Sequence, residues 1–155
     1  MPQDHEEFMR VALEEAVKAR TEGNLGVGSV LVCDGRIVGK GRGLAQTSGD
    51  PTAHAEVAAM REARVALGRS DLAGCTLYTT YEPCVMCCGV AMLHRVSTLV
   101  LGARLHPYGT RPTTNWGSYT VERLMKLASW EDKMAVVTGV LEEQCRRTLR
   151  STPVT

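Results

Sequence analysis

Apolar residues recur at helical spacing from position 4 to 22, where Phe8, Met9, Ala12, Leu13, Ala16 and Val17 fall on one stripe. Gly23 ends that helix. The pattern then changes period. Ser29-Val30-Leu31-Val32-Cys33 is a short apolar run of strand type, Asp34-Gly35 is a tight hairpin signal, and Arg36-Ile37-Val38-Gly39 returns antiparallel. Residues 40–49 alternate glycine with other residues and read as a loop. No G-x-G-x-x-G follows, so this is not a phosphate cradle. Asp50-Pro51 reads as an N-cap followed by proline at the first helical position, opening a helix over 51–67 that Gly68 stops.

The same alternation continues. Thr76 to Thr80 is a third strand. Glu82-Pro83 opens a helix in the same manner, running to about His94. Ser97 to Gly102 is a fourth strand, and a loop rich in Pro, Gly and Thr covers 106–118. A helix over 119–128, a fifth strand from Met134 to Gly139 and a last helix from Leu141 to Arg150 complete the chain. The order is αββαβαβαβα. It predicts a three-layer α/β/α sandwich around a five-stranded mixed sheet. Only the first two strands are expected to pair antiparallel. Strands four and five, joined through a helix, are expected to be parallel.

Length adds that residues 1–155 form one domain, large enough for a proper core. Hydrophobic residues make up 44% and charged residues 23%, which is ordinary for a globular protein. No apolar run approaches a membrane span. The polar, acidic start is no secretory signal, so the chain reads as cytoplasmic. The net charge of +1 gives no basic tail for nucleic acid. Arg146, Arg147 and Arg150 read as a solvated helix face. Six cysteines among reduced thiols point to metal rather than disulfides. Four of them (Cys33, Cys75, Cys88, Cys145) have no spacing partner and read as small buried apolar residues. Met60, Met86, Met92, Met125, Met134 and Trp130 read as packing, and His94 as packing or capping.

Two motifs, 30 positions apart, carry chemistry: His54-Ala55-Glu56 and Pro83-Cys84-Val85-Met86-Cys87. One imidazole and two thiolates give zinc three protein ligands and leave a fourth position open, the pattern of a catalytic rather than a structural ion. Cys84 and Cys87 share one face of a first helical turn, where the helix N-terminus favours thiolates. His54 begins a neighbouring helix, so the three can aim at one point beyond the strand ends. Glu56 is placed as the proton carrier beside the ion's water, not as a fourth ligand.

With these residues the chain resembles the zinc-dependent cytidine/deoxycytidylate deaminase-like superfamily, whose signature is H-x-E…P-C-x-x-C. The similarity is densest in residues 50–56 and 82–87 and extends to Leu99-Val100-Leu101-Gly102-Ala103-Arg104. The branch it resembles holds fungal-type cytosine deaminase, bacterial guanine deaminase and tRNA adenosine deaminase. The resemblance implies one zinc per chain on His54, Cys84 and Cys87, with Glu56 passing a proton to a ring nitrogen and then to the leaving amine. It implies that the Ala55 N–H meets the substrate, that the Cys84 N–H orients the zinc-bound water, and that Val27 lines the pocket. It also implies a homodimer or larger homo-oligomer, with which Val90, Met92 and Leu93 are compatible.

One position departs from the family. An asparagine commonly stands eleven residues before the zinc histidine and reads the base; here it is Gly43. Gln46 could supply an amide instead. His106, with Tyr108, Asn115 and Trp116, is a further candidate substrate contact. The leading expectation is therefore hydrolytic deamination of a small nitrogen heterocycle: guanine, cytosine, or a triazine- or pterin-like ring. The alternatives are a tRNA adenosine deaminase acting on a flipped-out anticodon adenosine, against which near-neutral charge and Gly43 weigh, and a non-catalytic zinc module.

Overall fold

The structure, a computed structural model, describes residues 4–105 and 117–149. Helix α1 (His5–Thr21) starts where Asp4 accepts the N–H groups of Glu6 and Glu7 at 3.1 and 3.2 Å, a side-chain N-cap. Met9, Ala12 and Ala16 of the predicted stripe are fully buried, while Val17 faces outward. Strands β1 (Gly28–Cys33) and β2 (Arg36–Arg42) form the hairpin around Asp34-Gly35. A short helix α2 (Ala45–Ser48) follows, then α3 (Ala55–Leu67), β3 (Thr76–Tyr81), α4 (Val85–Leu93), β4 (Thr98–Ala103), α5 (Val121–Leu127), β5 (Ala135–Val137) and α6 (Glu142–Leu149).

The five strands form one mixed sheet in the order β2-β1-β3-β4-β5. The β3–β4 and β4–β5 pairs are parallel. The β1–β3 pair is antiparallel, as β1–β2 is, which corrects the expectation of a single antiparallel pair. The reason is the strand order. The hairpin places β1 between β2 and β3, so the one reversed strand has two neighbours.

Side chains alternate across the sheet. Val30, Val32, Tyr78 and Val100 pack with Met9 and Ala12 of α1 and with Cys145 and Leu149 of α6. Leu31, Leu77, Leu99 and Leu101 pack on the other face with Met60 of α3, Cys88 of α4 and Met125 of α5. These are the three layers. Trp130 packs against the second cluster, and His94 caps α4 with Nδ1 2.9 Å from the Val90 carbonyl. No helix among the described residues is long and apolar enough to cross a membrane.

Gly39 lies in β2 as expected, and Gly41 belongs to the same strand rather than to the loop read over 40–49. Both point at α3. A Cβ on Gly39 would overlap the Ala59 carbonyl oxygen, and one on Gly41 the Ala55 carbonyl oxygen. Their period of two is a strand face stripped of side chains so that a helix can approach closely. That helix carries half of the site.

Candidate active site

Both predicted helix starts lie further along than proline suggested. The Asp50 carboxylate accepts the backbone N–H and the hydroxyl of Thr52 at 2.8 and 2.7 Å, closing a local turn. His54 is then extended (φ −97°, ψ 150°) and is itself the N-cap of α3. Cys84 (φ −69°, ψ 175°) is the N-cap of α4. Pro83 stays outside that helix, and its carbonyl accepts the Tyr119 hydroxyl at 2.6 Å. Two ligand residues thus occupy equivalent N-cap positions on adjacent helices, and Cys87 lies one turn into α4.

His54 Nδ1 lies 3.5 Å from Cys84 Sγ and 3.4 Å from Cys87 Sγ. Tetrahedral zinc with ordinary Zn–N and Zn–S bonds holds nitrogen and sulfur about 3.6 Å apart. The donor set therefore fits the ion in both chemistry and spacing. Among the described residues, His54, Cys84 and Cys87 are the group of three able to hold a metal, their ligand atoms all within 4.8 Å of one another.

The electrostatics prepare that group. The hydrogen bond from Cys87 holds the Cys84 thiol down at about 4, with His54 adding to the effect. The same bond, with burial, pushes Cys87 far up. The Cys84 sulfur raises His54 in turn. The Cys84 thiol therefore ionises first and Cys87 keeps its proton, which metal binding displaces.

Glu56 is buried at 3% exposure. One carboxylate oxygen accepts the Thr79 hydroxyl at 2.7 Å, and the other lies 3.3 Å from Cys87 Sγ. Burial raises its pKa above the ordinary carboxylate value. His54, Glu56 and Cys84 open onto a cavity of about 260 Å³ lined also by Leu25, Val27, Gly43, Gln46, Tyr81 and Leu105, with Cys87 buried behind them. That is room for at least one ring system.

The sequence-derived pocket residues Ala55, Val27, Gly43 and Gln46 all line it. The Gln46 side-chain carbonyl accepts the Leu25 N–H at 3.0 Å, so that end of the amide is committed to backbone. His106, Tyr108, Asn115 and Trp116 lie outside the described residues. Sequence reasoning missed Thr79, which holds Glu56, and Glu82. Glu82 lines the cavity and accepts the N–H groups of Leu105 and Val121 at 3.0 and 2.9 Å. No spacing rule marks either, because their partners are distant in sequence.

Fold and site together define a zinc-dependent aminohydrolase of the deaminase type. Residues 2–103 match the family described as the cytidine and deoxycytidylate deaminase zinc-binding region, and the chain belongs to that family. It is 41% identical over 145 residues to the tRNA-specific adenosine deaminase of Bacillus subtilis (strain 168), covering 94% of this chain and 85% of that one. It is 36% identical over 137 residues to the tRNA-specific adenosine deaminase of Aquifex aeolicus (strain VF5), covering 80% and 91%. Among solved structures it is similar to one from a study of A-to-I editing by tRNA:A34 deaminases, with a TM-score of 0.78 and 33% identity, over 92% of this chain and 99% of that one. It is also similar to guanine deaminase from Nitrosomonas europaea, with a TM-score of 0.73 and 26% identity, over 93% and 81%.

Proposed function

We propose that this chain hydrolyses the exocyclic amine of an adenine base in tRNA, at the wobble position, leaving inosine and ammonia. The observation that carries this reading is 41% identity, over 94% of the chain, to a tRNA-specific adenosine deaminase. It reverses the order of the two readings drawn from sequence, where a free heterocycle led. The cavity supports it, since an extruded base fits the volume. Near-neutral net charge argues against a broad basic groove, but not against a pocket that accepts one flipped base.

Zinc, when bound by His54, Cys84 and Cys87, supplies a Lewis acid for the attacking water. The chain's own part is proton handling and orientation. With the metal bound, Glu56 would relay two protons: the first from the attacking water to N1 of the adenine ring, where it stays, and the second from the new C6 hydroxyl to the departing amine. A carboxylate with a raised pKa suits both halves of that task. Thr79 holds the Glu56 carboxylate in place. The Ala55 N–H, at the first turn of α3, meets the base, and the Cys84 N–H orients the water. Val27, Leu25 and Tyr81 enclose the ring. The overall change balances as adenine plus water giving hypoxanthine plus ammonia.

A second reading is kept because of Gly43 and the guanine deaminase neighbour: deamination of a free purine. A direct test incubates the zinc-loaded protein with tRNA bearing adenine at the first anticodon position, followed by nucleoside analysis. Inosine supports the first reading. Unchanged tRNA, with ammonia released from guanine, moves the activity to the second. Residues 1–155 acting as one domain, a cytoplasmic location and a homodimer belong to the same proposal. Leu93 on α4, an apolar side chain 84% exposed, supports the dimer.

A further inference from the structure

Cys33 and Cys75 lie at the end of the sheet opposite the metal group. The β1–β3 register pairs Ser29 with Thr79, near Glu56, and Val32 with Thr76. One step further along, Cys33 comes opposite Cys75. Their sulfurs are 2.7 Å apart, with the Cys75 thiol directed at Cys33. Directly opposed residues of an antiparallel pair have Cα atoms about 4.5–5.5 Å apart, inside the range that a disulfide spans. A bond between these sulfurs needs no movement of the strands.

A third group completes the cluster. Gly68 closes α3 in the left-handed region and turns the chain back. This brings the Arg69 guanidinium 3.5 Å from Cys33 Sγ and 3.8 Å from Cys75 Sγ, with the same nitrogen 3.4 Å from the Ala73 carbonyl. Cys33 Sγ thus lies within reach of two donors, the Cys75 thiol and the Arg69 guanidinium. Cys75 is fully buried, and burial pushes its thiol up to about 12. Cys33 keeps 7% of its surface exposed. The two sulfurs differ in access: Cys33 is the one a small oxidant reaches, and Cys75 is its enclosed partner.

We infer that Cys33 and Cys75 are a redox modification site, closing a reversible cross-strand disulfide with hydrogen peroxide as the oxidant. The Cys33 sulfur attacks one peroxide oxygen and gives up its thiol proton. The O–O bond breaks, the sulfur becomes a sulfenic acid, and hydroxide leaves to be protonated to water. The Cys75 sulfur then attacks the Cys33 sulfur and gives its proton to the departing hydroxide. Two thiols and one peroxide become one disulfide and two waters. A dithiol reverses the bond by exchange. In a reducing compartment such a pair is transient and responsive rather than structural.

The test uses the zinc-loaded protein, in which Cys84 and Cys87 are held by metal. After peroxide treatment and alkylation, cleavage at Arg36 and Arg69 and after Tyr78 or Tyr81 separates Cys33 and Cys75 from each other and from Cys84. The expected product is one crosslinked peptide pair joining Cys33 to Cys75, lighter by two hydrogens than the free peptides and released by dithiothreitol. Arg69→Met, which leaves the metal group untouched, is expected to slow its formation about tenfold. Both cysteines remaining alkylatable overturns the proposal. So does Cys33 oxidised to sulfinic acid while Cys75 stays free.

Discussion

Glu82 accepts the backbone N–H of Val121 at 2.9 Å, across 39 positions of sequence. Its other oxygen accepts the Leu105 N–H at 3.0 Å and pairs with Arg104 Nε at 3.1 Å. One buried carboxylate therefore ties the end of β4 to the start of α5, two residues before the ligand Cys84. Glu82→Ala leaves two buried N–H groups without their acceptor and reduces Arg104 to its pair with Glu122. We expect a loss of about 3 kcal/mol, read as a shift in the urea midpoint of the zinc-loaded protein. Glu82→Gln should fall between, since its amide can accept from only one side.

Glu56→Gln is expected to keep one zinc per chain and to lower kcat by about 10²–10⁴-fold. Metal content and turnover measured on the same sample check this. Thr79→Val removes only the hydroxyl that holds Glu56. It should cost about tenfold in kcat, the scale of losing an outer-shell partner, with the fold intact by circular dichroism. Loss of zinc in Glu56→Gln would make Glu56 a ligand and contradict its proton role.

Gly41→Ala is expected to push α3 off β2, because the new methyl overlaps the Ala55 backbone. Overpacking of this kind costs about 1–3 kcal/mol. Since α3 begins with His54 and Glu56, zinc affinity should fall along with stability. Gly89→Ala is the matched control. It lies in α4 with nothing near its Cβ, and should stabilise the chain by about 0.5–1 kcal/mol. Thermal melts with and without zinc distinguish the two.

Zinc affinity should rise with pH, with a slope that reports the displaced protons. Above the Cys84 value of about 4, the metal-free site already holds one thiolate, while Cys87 keeps its proton. Binding then releases one proton, and affinity climbs about tenfold per pH unit near pH 8. On the acid side of the His54 titration, which lies above the ordinary imidazole value, a second proton must leave and the slope approaches two. Competition against a chelator of known pH dependence measures it. A flat profile across neutral pH would contradict a Cys87 that holds its proton until metal binds.

The zinc group was legible in the sequence because its ligands are local: Cys84 and Cys87 share one turn, and His54 and Glu56 lie two residues apart. The strands were legible for the same reason, as short apolar runs between turn residues. What depends on distant pairing was not. The antiparallel β1–β3 pair follows from strand order, which no local pattern encodes. Proline marked the starts of α3 and α4 too early, because a side-chain turn at Asp50 and the Pro83 carbonyl contact hold the chain extended up to His54 and Cys84. Gly41 read as loop because a bare strand face looks like a flexible segment until the helix above it is known. Cys33 and Cys75, read separately as apolar filler, are indeed buried, but 42 residues of chain hide that they face each other.

An anomalous difference map at the zinc edge, from crystals of the purified protein, tests the site most directly. The account predicts a single peak bonded by His54 Nδ1, Cys84 Sγ and Cys87 Sγ, its fourth position held by solvent or substrate, with the Glu56 carboxylate alongside. A peak closed by a fourth side chain, or no peak in fully zinc-supplied protein, would contradict it.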